Sequence, residues 1–288
     1  MAEISASTVV KLRKMSGQGM MDCKKALQEA NGDMDKAMEI LRKKGLATLA
    51  RRAERETTEG AVVAWQSEDG RTAAMATLCC ETDFVAKSDD FVELAQDIRD
   101  YIASSAKTDG PESVLETIIA GRTFQEVLTE VVSKTGEKIQ VGDYIKFRME
   151  SAGLIGTYVH FNKKVGSMVH IETSDAKAAQ APAMKQAAAD IAMHITASKP
   201  LALDIESLDP QVVEHEKVIY AAQVQNKPPE VINRIVEGKL KKFYSEYCLL
   251  EQPFVKDDSK TVRQVLADAA SQAGGQASIR QFVRFAVG

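Results

Sequence analysis

Scarcity narrows this sequence before any motif does. Its 288 residues include four cysteines, Cys23, Cys79, Cys80 and Cys248, and no Cys-x-x-Cys pair. No histidine stands at finger-like spacing from them, and Cys79 and Cys80, adjacent in a strand-like run, point to opposite faces. They read as small apolar side chains in a reducing compartment, with neither a disulfide framework nor a metal site. Aromatic residues make up only 6% of the chain, with one Trp, too few for a base-stacking platform. Cations are not in excess either: 37 Lys and Arg face 41 Asp and Glu, a net charge of −4, which argues against a general nucleic-acid binder. No apolar run approaches the roughly 20 residues of a membrane-spanning helix. The start, Met1-Ala2-Glu3-Ile4, lacks a basic n-region and an apolar h-region, so a cytoplasmic location is expected.

Chemistry is equally sparse. There is no Gly-x-x-x-x-Gly-Lys-Ser/Thr loop, no Gly-x-Ser-x-Gly elbow and no His-Glu-x-x-His helix. The four histidines, His160, His170, His194 and His215, are scattered. A lone histidine is more often structural than a ligand. His160 and His170, on neighbouring strands, come nearest to a titratable pair, but no carboxylate partner is evident. The carboxylate pairs Asp89-Asp90 and Asp257-Asp258 are expected at helix starts, where they meet the helix dipole favourably. The expectation is a protein without covalent chemistry, cofactor or metal.

What is present reads as an α+β chain of several units. Residues 1–55 are expected to form three helices: one capped by Ser5 or Ser7, a second carrying Met21 to Leu27, and a third capped by Asp33 and ended by Gly45. Residues 56–140 bring a hairpin around Ser67-Glu68-Asp69-Gly70, a helix with Phe91, Leu94, Ile98 and Ile102, and a capping box at Thr123-Phe124-Gln125-Glu126. Residues 141–200 return to strands (Tyr144 to Met149, Leu154 to Phe161, Val165 to Glu172), with a second turn at Asn162-Lys163-Lys164 and then an Ala-rich helix. Residues 201–248 form two amphipathic helices broken at Lys227-Pro228-Pro229, an antiparallel helical hairpin inserted in the core. Residues 249–288 complete that core with a helix capped by Ser259 or Thr261 and a last strand, Ile279 to Val287, which must pair with an earlier one. The phrase Cys80-Glu81-Thr82-Asp83-Phe84-Val85-Ala86-Lys87 joins a strand to a helix. By composition alone it is an N-cap with Phe84 and Val85 turned inward.

A resemblance adds what composition does not. Gly19-Met20-Met21-Asp22-Cys23-Lys24-Lys25-Ala26-Leu27 followed by Glu29-Ala30-Asn31-Gly32-Asp33 closely resembles the N-terminal module of the elongation factor Ts family. Thr82-Asp83-Phe84-Val85-Ala86-Lys87 is similar to that family's core signature. Ile191-Ala192-Met193-His194, Ala197-Ser198-Lys199-Pro200, Val236-Glu237-Gly238, Gln252-Pro253-Phe254-Val255 and Arg284-Phe285 follow in family order over nearly the whole chain. The resemblance implies a UBA-like three-helix module, a core of two similar α+β subdomains with antiparallel sheets, and an antiparallel coiled-coil arm. It implies an exchange factor for the GTPase elongation factor Tu, in its GDP-bound and nucleotide-free states, with no direct nucleic-acid or membrane contact. Assembly is open between a homodimer and a heterotetramer with the partner.

Carried over, Thr82, Asp83, Phe84 and Val85 are the segment that displaces the partner's magnesium, with Phe84 as an apolar wedge and Asp83 perturbing the polar network. His160, in Gly156-Thr157-Tyr158-Val159-His160, matches the histidine beside the wedge. Met20, Met21 and Lys24 dock the helical module, and Val255 is a further contact. Three departures stand out. Lys256 replaces an apolar residue of some members, the stretch from Lys87 to His194 is long, and a C-terminal helical module found in many members is expected to be missing after Gly288. Without the resemblance, a scaffold that binds its partner and leaves the nucleotide untouched accounts for the same features.

Overall fold

The computed structural model describes residues 4–224 and 228–288. The opening residues 1–3, and Lys227 at the expected break between the two amphipathic helices, lie outside the described residues. The chain divides into two compact units, one of residues up to Trp65 with Ala74–Lys146 and Phe285–Gly288, the other of Gln66–Ala73 with Phe147–Arg284.

The first unit opens with α1 (Ala6–Ser16), α2 (Met20–Glu29) and α3 (Met34–Arg51). Ser5 is the cap of α1, its hydroxyl accepting from the Thr8 N–H at 3.1 Å, and Asp33 caps α3 through the Asp35 and Lys36 amides. Each helix buries one face in a shared core of Val9, Leu12, Cys23, Ala26, Leu27, Ala37 and Leu41. Gly45 does not end α3, contrary to expectation: the helix runs on to Arg51. A Cβ at Gly45 would lie 2.6 Å from the Thr129 carbonyl oxygen, so the glycine serves a close approach between two helices. Gly45→Val is therefore expected to cost about 1–3 kcal/mol in chemical denaturation by overpacking that crossing.

Next come β1 (Glu59–Gln66) and β2 (Thr72–Cys80), then α4 (Asp83–Ala86), α5 (Asp89–Ser104), α6 (Pro111–Leu115), the short ladder of β3 (Ile118–Ile119) with β4 (Arg122–Thr123), α7 (Phe124–Thr135) and β5 (Ile139–Arg148). The sheet order is β1-β2-β5. Thr123 and Glu126 close the capping box of α7 as expected. The apolar faces of α5 (Phe91, Leu94, Ile98, Ile102) and α7 (Phe124, Leu128, Val132) share a core with Leu78, Ile139 and Val141 of the sheet. β5 begins earlier than Tyr144, and the division expected between residues 140 and 141 falls inside this strand of the first sheet.

In the second unit β6 (Gly153–Val159) and β7 (Val165–Thr173) pair antiparallel, from Gly153↔Glu172 to Val159↔Gly166. The Ala-rich run splits into α8 (Ala176–Gln180) and α9 (Pro182–Ser198), because Pro182 has no N–H to continue a helix and starts one instead. Then follow α10 (Pro210–Ala222), α11 (Pro229–Tyr247), the two-stranded ladder of β8 (Pro253–Phe254) and β9 (Asp257–Thr261), α12 (Val262–Gln272) and β10 (Ala277–Ala286). The sheet order β10-β7-β6 places the last strand beside β7, so everything from α8 to α12 is inserted between neighbouring strands. Met184, Ile191 and Ile195 of α9 meet Val169, Ile171, Leu249, Leu266 and Ile279 in the second core. α10 buries no residue fully; it meets α11 through Lys239, whose ammonium reaches Gln223 and lies 5.3 Å from the Tyr220 ring centre. Contrary to the dipole argument, Asp257-Asp258 does not start a helix but sits in β9. The Asp257 carboxylate accepts from the Ser259 hydroxyl at 2.6 Å, while Thr261 caps α12 in a capping box with Gln264.

Candidate functional site

At the end of β2 the chain turns into the single helical turn α4, and side chains fasten it from both ends. The Thr82 hydroxyl accepts from the Val85 N–H at 3.3 Å and donates to the Glu137 carboxylate at 2.9 Å, while the Thr82 N–H reaches the same carboxylate at 3.2 Å. Glu81 accepts from the Lys138 N–H at 2.7 Å and pairs with Arg52 at 2.7 Å. Burial works to raise the Glu81 pKa, but the Lys138 amide and the Arg52 guanidinium outweigh it and hold the carboxyl below its usual range. Beyond the turn, the Ser88 hydroxyl donates to the Val85 carbonyl at 2.8 Å and caps α5. Asp83 pairs with Lys87 at 2.7 Å, and the Lys87 hydrogen bond lowers the Asp83 pKa.

Phe84 and Val85 part company on this mount. Val85 packs against the core of the first unit, whereas Phe84 is 82% exposed. The inward reading from composition holds for Val85 and fails for Phe84. With both ends of the turn fixed and position 85 anchored, position 84 has no side left but the solvent.

Met20, Met21 and Lys24 are all exposed on α2, with Lys24 three residues after Met21 and four after Met20, beside the stripe of buried Cys23, Ala26 and Leu27. They belong to the first unit with Thr82, Asp83, Phe84 and Val85; His160 and Val255 belong to the second. His160 follows the end of β6, its Nδ1 3.0 Å from the Tyr158 hydroxyl. His160 and Val255 both line a groove of about 360 Å³ with Tyr158, Val165, Met193, Thr196 and Ala197. Lys256 is tied to Asp190 at 2.7 Å. His160 and His170 do not form a pair: His170 stands opposite Ile155 on β7, buried, and its ring nitrogens make no hydrogen bond among the described residues. Among the described residues no group of three or more His, Cys, Asp or Glu is arranged to hold a metal, and no helix is long and apolar enough to cross a membrane.

Sequence reasoning missed the supports of this site. Glu137, which holds Thr82, carried no motif. His194 and Gln252 stood inside the quoted segments without a role. His194 is fully buried, its Nε2 2.9 Å from Gln252 Oε1 and its Nδ1 accepting from the Val255 N–H at 3.1 Å, so this imidazole sets the backbone of Val255. Burial pushes the pKa of both His194 and His170 below the ordinary value of 6.5. Both rings thus bind protons less readily in the folded chain than in the unfolded one. Their effect is absent above about pH 6.5, and stability falls below it by up to about 1.4 kcal/mol per histidine per pH unit. Urea denaturation from pH 7.5 down to 5.5 is expected to show this loss, and His170→Phe to flatten its slope.

The family model described as Elongation factor TS matches residues 81–288. Relatives named Elongation factor Ts include one from a Nitratiruptor species, 44% identical over 287 residues, spanning 99% of this chain and 93% of the relative. Another, from Desulfovibrio desulfuricans, is 38% identical over 287 residues, 99% of this chain and 98% of the relative. A third, from Nautilia profundicola, is 41% identical over 297 residues, 100% of this chain and 94% of the relative.

Proposed function

The chain belongs to the elongation factor Ts family, and from that premise we propose that it is a guanine-nucleotide exchange factor that binds elongation factor Tu with GDP bound and opens its magnesium–phosphate pocket with Phe84. Bound GDP in a GTPase of this type is held by backbone amides, a lysine and a magnesium ion that offsets phosphate charge. An exchange factor stabilises the state in which those contacts are broken, so factor and nucleotide weaken each other reciprocally. No covalent step is needed.

One observation carries this reading: an aromatic ring, 82% exposed, on a helical turn clamped through Thr82, Glu137 and Ser88. A backbone fixed before binding spares the entropy of ordering the turn when the ring enters a partner. Asp83, beside it, is the anionic neighbour for the polar network around the ion. In this reading Met20, Met21 and Lys24 on α2, and His160 and Val255 in the second unit, provide the affinity that supports the wedge.

The same reading takes residues 1–55 as a UBA-like module, 56–140 and 141–200 with 249–288 as the two core subdomains, and 201–248 as an antiparallel coiled-coil arm. The shared core of α1 to α3 and the α10–α11 contact support that layout. It also places the protein in the cytoplasm, where translation runs.

The test is release of fluorescent GDP from elongation factor Tu. A tenth of an equivalent of the chain is expected to exchange all of the bound nucleotide over several turnovers. Release at the intrinsic rate under excess chain would overturn the proposal. A tight complex with unchanged release would make the protein a scaffold.

A further inference from the structure

Phe161 is more exposed than Phe84, at 88%, and it too stands on a firm mount. It occupies the tip of the β6–β7 hairpin. There the His160 N–H donates to the Val165 carbonyl at 2.9 Å, and the Lys163 N–H to the His160 carbonyl at 2.8 Å. Asn162 Oδ1 accepts from the Lys164 N–H at 2.9 Å, and Lys163 takes the left-handed conformation with φ of 57°. Turn chemistry of this kind fixes the backbone without help from an aromatic side chain. Among the aromatic groups of the described residues the ring meets only the His160 imidazole, centre to centre at 4.3 Å and tilted 51°. Its burial therefore contributes little to the fold.

What the ring does have is a position. It rests on the same His160 that lines the groove with Tyr158, Met193 and Val255. An exposed aromatic on a turn-fixed backbone beside an apolar groove matches the anatomy of a binding hot spot, and its complement is an apolar surface. We infer that Phe161 is a second aromatic contact for elongation factor Tu, one that holds the complex rather than opens the nucleotide pocket. The inference rests on the exchange-factor reading. It commits to the GTPase because the groove continues through His160 and Val255, the two positions of this unit already proposed to touch that partner. A contact made equally before and after GDP leaves is uniform binding: it lowers the concentration needed for half-maximal exchange and leaves the maximal rate alone.

The experiment measures two quantities for the full chain, Phe161→Ala, Phe161→Tyr and Phe84→Ala. One is the affinity for nucleotide-free elongation factor Tu by fluorescence anisotropy; the other is GDP release over a range of factor concentrations. Phe161→Ala is expected to weaken binding and raise the half-saturating concentration about tenfold, with the maximal rate within about twofold of the parent. Phe161→Tyr restores both, and the melting temperature of each variant stays within about 2 °C. Unchanged affinity in Phe161→Ala overturns the inference, as does an effect confined to self-association in sedimentation. If the parent binds but does not speed release, the exchange reading falls while a tenfold weaker Phe161→Ala complex still upholds the contact. If the parent does not bind elongation factor Tu, both fall.

Discussion

Phe84→Ala is expected to slow GDP release from elongation factor Tu, at saturating factor, by about thirtyfold or more, the scale of a single interface hot spot of roughly 2 kcal/mol. The same variant is expected to melt within about 2 °C of the parent. The two halves of this result follow from one number, because a side chain 82% exposed gives its own fold almost nothing to lose. The backbone that presents it is fastened by other groups: Thr82 and Glu137 on one side, Ser88 on the other, and half-buried Val85 packed against the core. Stopped-flow release and a thermal melt on one preparation check both halves. A variant that exchanges normally, or that unfolds, contradicts the assignment of Phe84.

Phe124→Ala is expected to behave in the opposite way. Phe124 is fully buried at the start of α7, its ring centre 5.0 Å from that of Tyr101, in the core shared with Phe91, Ile102 and Leu128. Removing it leaves a cavity among side chains that relax only in part, at a cost of about 3–5 kcal/mol. For a chain of this size that lowers the melting temperature by about 10 °C or more. Below the transition the variant is expected to exchange within about twofold of the parent, since Thr82 and Glu137 keep their bonds when the fold is intact. Calorimetry and the release assay run across temperature check this, with exchange lost in step with unfolding and not before. Two phenylalanines of one unit would then separate cleanly, one serving the partner and the other the fold.

How far the sequence led can be judged residue by residue. Caps are legible: Asp33, Thr123 with Glu126, and Thr261 all act locally, and local chemistry is visible in sequence. Gly45 misled because its reason is tertiary, the backbone of α7 lying across it. Asp257-Asp258 misled because a carboxylate pair before an amphipathic run suits a helix start and an Asx-type turn equally, and Ser259 decided for the turn. The start of β5 is hidden because its alternation changes phase at Asp143: Ile139 and Val141 are buried, Asp143 is exposed and Tyr144 is buried again. Among the site residues, the split between Phe84 and Val85 was illegible from composition, since two adjacent apolar residues after an N-cap look alike until the core claims one. Glu137 and His194 act over long sequence separations, and no spacing rule reaches them. Phe161 reads in sequence only as the end of a strand from Leu154, whereas β6 stops at Val159 and leaves Phe161 in the turn.

The central claim is that the exposed ring of Phe84 acts on a metal–phosphate pocket in the partner. The most direct measurement is GDP release driven by the parent chain and by Phe84→Ala, each with magnesium present and after its removal by chelation. With the ion in place the account predicts the large deficit stated above; with the ion already gone, the deficit should shrink to about threefold or less, because the wedge has nothing left to displace. A deficit of the same size in both conditions would contradict it, placing Phe84 in general adhesion to the partner rather than at the magnesium site.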